Sequence, residues 1–95
     1  MLTLILYSKQ GCHLCEGLQE KLDVITEIEF VLEIRDISKQ HEWYDAYQYE
    51  VPVLKYLCSK TGQECLIPRP SPRLTVLQLE RHLRSALLPQ DLTRE

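Results

Sequence analysis

Several absences narrow what this chain can be. No apolar run approaches the ~18 residues of a membrane-crossing helix, so a membrane role is not expected. No basic excess exists either: 11 Lys and Arg face 14 Asp and Glu, a formal net charge of −3. Phosphate backbones are held by clustered cations, so a nucleic-acid partner is not expected. The first residues carry neither a basic stretch nor a small-residue cleavage site, which reads as a cytoplasmic rather than a secreted chain. Repeats, linkers and low-complexity tracts are missing. At 95 residues there is room for one domain, expected over residues 1–88, and a tail over 89–95 that should fray after Pro89. Four cysteines are too few for a secreted disulfide scaffold. In a reducing compartment a close cysteine pair points instead to catalysis or metal binding.

What is present reads as alternating strands and helices. Leu2 to Tyr7 is apolar except for Thr3, the signature of a strand buried on both faces. Cys12 to Thr26 repeats Leu14, Leu18, Leu22 and Ile25 at helical spacing, with Gly17 a costly interruption. Glu29 to Ile37 alternates, with Phe30, Leu32 and Ile34 on the inner side and charges outside, which suits a sheet edge. Ser38 is the expected N-cap of a short helix over Gln40 to Tyr47, with Trp43 and Tyr47 turned inward. Pro52 ends it. Val53–Cys58 and Glu64–Ile67 are expected to form a hairpin around Lys60–Gln63. Pro68 to Pro72 is irregular, and Thr75 with Gln78 makes a capping box for a last helix running to Leu88.

The first two strands, joined through a helix, must be parallel with a right-handed crossover. The hairpin makes the last two antiparallel, and the half-charged second strand belongs at an edge, so the fold class is α/β: a four-stranded mixed sheet in the order 2-1-3-4 with three helices. Helices one and three lie on one face and helix two on the other.

Cys12 and Cys15 sit where the first strand hands over to the first helix. Cys12 is at the helix N-terminus, where backbone N–H groups and the dipole favour a thiolate. Cys15 follows one turn later, placed to attack a mixed disulfide on Cys12. Lowering a thiol pKa from ~8.5 to ~6 raises its thiolate fraction roughly 30-fold at pH 7. The accompanying loss of nucleophilicity is roughly 10- to 18-fold, so attack itself gains little. The larger gain is a better leaving group, which speeds resolution by Cys15. A protonated His13 would depress the pKa further, and a solvent-exposed imidazole is the plainer alternative.

The segment Leu4-Ile5-Leu6-Tyr7-Ser8-Lys9-Gln10-Gly11-Cys12-His13-Leu14-Cys15 resembles the start of a glutaredoxin, and Val51-Pro52-Val53-Leu54 resembles the cis-proline segment of the thioredoxin superfamily. The likeness is closest to small bacterial glutaredoxin-like proteins with a Cys-His-x-Cys site. It implies a thioredoxin fold in its short, glutaredoxin form. It implies a dithiol thiol–disulfide oxidoreductase, with Cys12 the nucleophile, Cys15 the resolving thiol and no bound cofactor. It implies that Pro52 is cis and lies beside the pair, and that Val51 offers its backbone N–H and C=O to an extended substrate. Lys9 matches a family position that meets a glutathione carboxylate. Two features depart from the family: His13 replaces a proline, and no Gly-Gly turn follows the fourth strand. Arg69 and Arg73 fall in that region and are read as solvated surface residues. The expected partners are disulfide-bearing proteins or small thiols, with glutathione a possible reductant, and the expected working unit is a monomer.

Cys58 and Cys65 would face each other across the hairpin if Lys60 pairs with Gln63, close enough for a disulfide; small reduced core residues are the favoured reading. Two other classes stay open. Four thiolates could bind zinc or an iron–sulfur cluster, although the seven-residue offset is not a zinc-knuckle spacing, and the fold could serve as a non-redox adaptor. Trp43, Tyr44, Tyr47 and Tyr49 read as core packing plus surface tyrosines. His41 and His82 receive no role.

Overall fold

A computed structural model describes residues 2–58 and 61–87. The expected tail over 89–95 lies outside them. The elements are β1 (Leu2–Ser8), α1 (His13–Asp23), β2 (Phe30–Asp36), a single 3₁₀ turn (Ile37–Lys39), α2 (His41–Tyr47), β3 (Val53–Leu57), β4 (Glu64–Leu66) and α3 (Val76–Ala86). The sheet order is β2-β1-β3-β4, as the sequence implied. β1 and β2 run parallel, with Leu2 opposite Phe30 and Ser8 opposite Asp36. β3 runs antiparallel to β1, with Tyr7 opposite Val53.

The central strand explains the two cores. Leu2, Leu4 and Leu6 point to one face, where Leu22 of α1 and Leu79 and Leu83 of α3 close over them with Leu54 and Tyr56. Ile5 and Tyr7 point to the other, packed by Ile37 and Val53 and flanked by Trp43 and Tyr47 of α2. α2 is short, so polar side chains help cover this second face. Tyr7 is buried and donates its hydroxyl to Glu64 Oε1 at 2.7 Å, while Arg35 Nη1 donates to the Tyr7 oxygen and to Glu64 Oε2 at 2.7 and 2.8 Å. Lys55 Nζ donates to the Tyr47 hydroxyl at 2.8 Å, and the Arg35 guanidinium lies 5.4 Å from the Trp43 ring centre. Long side chains from both sheet edges thus meet at the Tyr7 hydroxyl and help cover this face without a long helix. Burial and the hydrogen bond to Glu64 push the Tyr7 hydroxyl up to about 12. Burial works against the Glu64 charge, but Tyr7, Arg35 and Lys55 outweigh it and hold this carboxyl below the usual range.

Four departures from expectation each have a local reason. α1 stops at Asp23 rather than Thr26, because Val24, Ile25 and Thr26 are three consecutive β-branched residues; the Val24 N–H closes the helix onto the Leu22 and Lys21 carbonyls. The inner row of β2 is only partly covered at the sheet edge, so Ile34 is 44% exposed. Ser38 is not an N-cap. Asp36 accepts from both Ser38 N and Ser38 Oγ, which makes the 3₁₀ turn, and α2 starts behind Gln40 with no side-chain cap.

The fourth difference is the hairpin register. Tyr56, not Cys58, faces Cys65. A two-residue turn would need positive φ at Thr61, with Gly62 in type I′ or without it in type II′. Only Gly62 takes it, at +72°. The loop is instead closed by Cys58 N donating to the Gln63 carbonyl at 2.8 Å. Cys58 and Cys65 are therefore diagonal rather than opposite, at a spacing of ~7–8 Å that exceeds disulfide reach.

Candidate functional site

The site is built at the end of the sheet where β1 gives way to α1. Gly11, at φ +81°, turns the chain, and the Cys12 N–H closes the turn on the Lys9 carbonyl at 3.2 Å. Cys12 then caps α1 in extended conformation, with its Sγ accepting the Cys15 N–H at 3.2 Å. The same sulfur that would carry the negative charge is thus the acceptor that satisfies a helix-terminal N–H. A disulfide joins Cys12 and Cys15, with their Cα atoms 5.3 Å apart. Cys15 is 3% exposed and Cys12 is half-buried, so the pair opens to solvent on the Cys12 side.

The Val51–Pro52 peptide is cis, as the resemblance implied. It immediately precedes Val53, the β3 residue opposite Tyr7, which sets it at the same end of the sheet as the loop carrying Cys12. Val51 departs from expectation in one respect. Its N–H, expected to be on offer, already donates to the Tyr47 carbonyl at 3.1 Å. The Lys9 ammonium reaches across to the Gln48 carbonyl at 3.1 Å, tying the Cys12 loop to the segment before Pro52. His13 points into solvent with its side chain 94% exposed, Nδ1 lying 3.6 Å from Glu16 Oε1. The arrangement joins it to Glu16 rather than to the cysteine sulfur.

Sequence reasoning missed the residues that fix the proline-rich segment. Its carbonyls have no strand to pair with, so side chains satisfy them. Lys21 Nζ donates to the Pro72 carbonyl at 2.8 Å, and His82 Nε2 bonds the Pro68 carbonyl at 2.6 Å. Because a carbonyl only accepts, that ring nitrogen carries the proton. Arg69, read as a solvated surface residue, instead donates to the Glu50 carbonyl at 2.6 Å and ties the segment to the residues before Pro52. The available signal was a run of proline carbonyls flanked by basic residues on two helices.

The four cysteines do not converge. Cys58 and Cys65 stay on the hairpin, and among the described residues no group of three or more potential metal ligands comes together. No helix among the described residues is long and apolar enough to cross a membrane.

Residues 3–84 match the family model for the Glutaredoxin-like domain (DUF836). No curated protein matches the chain. Among solved structures, the X-ray structure of the structural-genomics target protein XcR50 from X. campestris is 25% identical, with a TM-score of 0.56 over 88% of this chain and 99% of that one. A second, described as the structure of a malarial protein, is 13% identical, with a TM-score of 0.57 over 93% of this chain and 99% of the other, and bears on the fold alone. The architecture is that of the thioredoxin-like fold.

Proposed function

The chain belongs to the glutaredoxin-like domain family (DUF836), and from that premise we propose that it is a dithiol thiol–disulfide oxidoreductase. The observation that carries the reading is the asymmetry of the pair: an accessible Cys12 capping α1 through its sulfur, and a buried Cys15 one turn behind. The Cys12 thiolate attacks one sulfur of a substrate disulfide, and the other substrate sulfur leaves as a thiolate that takes up a proton. Cys15 then gives up its proton and attacks Cys12 Sγ, which expels the second substrate thiolate. The substrate gains two electrons and two protons, and the protein becomes the disulfide form seen in the structure. A second thiol donor restores the dithiol.

Val51 would accept a backbone N–H from the extended substrate through its carbonyl, with Pro52 presenting no competing N–H. Lys9 would supply positive charge at the mouth of the site. His13, exposed and turned toward Glu16 rather than the sulfur, is left with a smaller part in tuning Cys12. Both sulfurs come from one helix terminus, so one chain is the working unit, and a reducing cytoplasm suits the cycle.

Glutathione is proposed to be a poor reductant here. Its γ-glutamyl carboxylate needs N–H donors after β4, but Pro68, Pro70 and Pro72 have none. At the start of α3 the Thr75 and Gln78 N–H groups are spent on each other's side chains, at 2.9 and 3.2 Å.

The direct test is reduction of a small disulfide with dithiothreitol as the terminal donor. Cys12→Ser should abolish turnover, and reduced Cys15→Ser given the disulfide without dithiothreitol should accumulate a mixed disulfide on residue 12. Activity surviving in Cys12→Ser would overturn the reading.

A further inference from the structure

Resting on this dithiol reading, a second feature bears on which disulfides the site suits. Between α1 and the proline-rich segment lies a pocket of about 200 Å³, walled by Leu14 and Leu18, Pro70 and Pro72, and Leu74 and Leu79. Its near wall belongs to the redox site itself, since His13 and Leu14, both lining residues, are the two residues between the cysteines. Leu14 is 52% exposed, an apolar surface with no core to join.

Gly17 also lines this pocket. Glycine inside a helix weakens it relative to alanine, so its presence in α1 wants a reason. Close packing is not that reason: a Cβ added at Gly17 would meet nothing within 4 Å. Nor does backbone conformation demand it, as positive φ among the glycines is confined to Gly11 and Gly62. What the missing side chain leaves is open space in the pocket.

We propose that this pocket seats one apolar side chain of the polypeptide carrying the disulfide, and that Gly17 keeps it open. Size supports a side chain as occupant. An apolar cavity of roughly 150 Å³ holds one benzene molecule. Cofactor-sized ligands take roughly 300–1,000 Å³. A pocket of about 200 Å³ therefore matches a leucine, methionine or phenylalanine side chain. Its walls are fixed beforehand by prolines and by the Lys21 bond to the Pro72 carbonyl, so little ordering is needed on binding. The charged group in the lining, Lys21, is basic, which favours neutral or acidic neighbours around the seated residue. Glutathione has no apolar side chain and would leave the pocket empty. The substrate class is thus a protein disulfide with an apolar residue near its cysteine.

The test uses the reduced protein and a set of neutral peptides. Each peptide holds one cysteine as a mixed disulfide with 2-mercaptoethanol, with leucine or serine at one of the four positions on either side. The rate constant with bis(2-hydroxyethyl) disulfide is measured beside them. The pocket should raise the leucine rate over serine by roughly 10- to 100-fold at one or two positions. Gly17→Leu should bring that ratio close to one, and Gly17→Ala should lower it partway. A ratio near one at every position in the native protein, with the small disulfide still turned over, overturns the pocket assignment while leaving the dithiol reading intact. No turnover of any disulfide removes both. If Gly17→Leu does not fold, the native ratios and Gly17→Ala decide.

Discussion

Cys12 does two jobs with one atom, and they can be separated. Its sulfur accepts the Cys15 N–H as a helix cap and is the proposed nucleophile. The cap and the helix dipole should hold its thiol pKa below the ordinary ~8.5. Alkylation rate against pH on single-cysteine variants should show an early-titrating Cys12 and no detectable reaction at Cys15 at neutral pH. Equal rates at both would remove the assignment of roles. For the reduced protein, Cys12→Ser keeps an oxygen acceptor at the cap. Cys12→Ala does not, and it should unfold with a stability about 1 kcal/mol lower than Cys12→Ser, by urea titration. Both variants should be inactive.

At the scale of elements, α3 shows how a local motif fixes a distant one. Thr75 and Gln78 satisfy each other's N–H groups, and α3 in turn carries His82, which holds the Pro68 carbonyl. Thr75→Ala should cost about 1 kcal/mol, measured by urea unfolding of the disulfide form. It also frees the Gln78 N–H, so any weak glutathione turnover should stay level or rise rather than fall. β4 is the opposite case. At three residues it has little of its own to hold it, and Glu64 anchors it to Tyr7 and Arg35 across the sheet.

Two properties belong to the whole molecule. One is stability against pH. Glu64 titrates below its ordinary range when folded, so its stabilisation is complete above the unfolded carboxyl pKa and is lost as pH falls through the folded value. Tyr7 is shifted the other way, from 10.0 to about 12, so its contribution is complete below pH 10 and is lost as pH rises toward 12. Unfolding midpoints should form a plateau that falls on both sides. Across the alkaline limb the native protein should lose on the order of 2 kcal/mol more than Tyr7→Phe, which has no proton to give up. The other is the choice of reductant, which draws on β1, the cis-proline segment and the start of α3 together. Losing two or three hydrogen bonds to a charged group, at ~1.5–3 kcal/mol each, weakens glutathione recognition by orders of magnitude. Dithiothreitol should support rapid disulfide reduction where glutathione supports slow, unsaturated turnover. Saturable glutathione turnover of equal efficiency would show that the missing glycines are replaced by other donors.

Much of this was legible in the sequence because it depends on neighbours in the chain. An unbroken apolar strand, the spacing of Leu18 and Leu22, the Thr75–Gln78 box and Cys12–Cys15 at a strand-to-helix junction are local patterns, and strand order followed from the half-charged second strand, which belongs at a sheet edge. What only the tertiary structure decided depends on residues far apart. The Cys58–Cys65 register turned on whether Thr61 could take positive φ. Arg35, one of the charges read as lying outside at the sheet edge, instead bonds the buried Tyr7 hydroxyl and reaches Glu64 across the sheet. Val51 spends its N–H on Tyr47, and Gly17 acquires meaning only when a proline-rich segment 53 residues away, at Pro70, becomes the facing wall. Periodicity records which side of an element is apolar; what stands opposite that side is set by packing, which no single segment encodes.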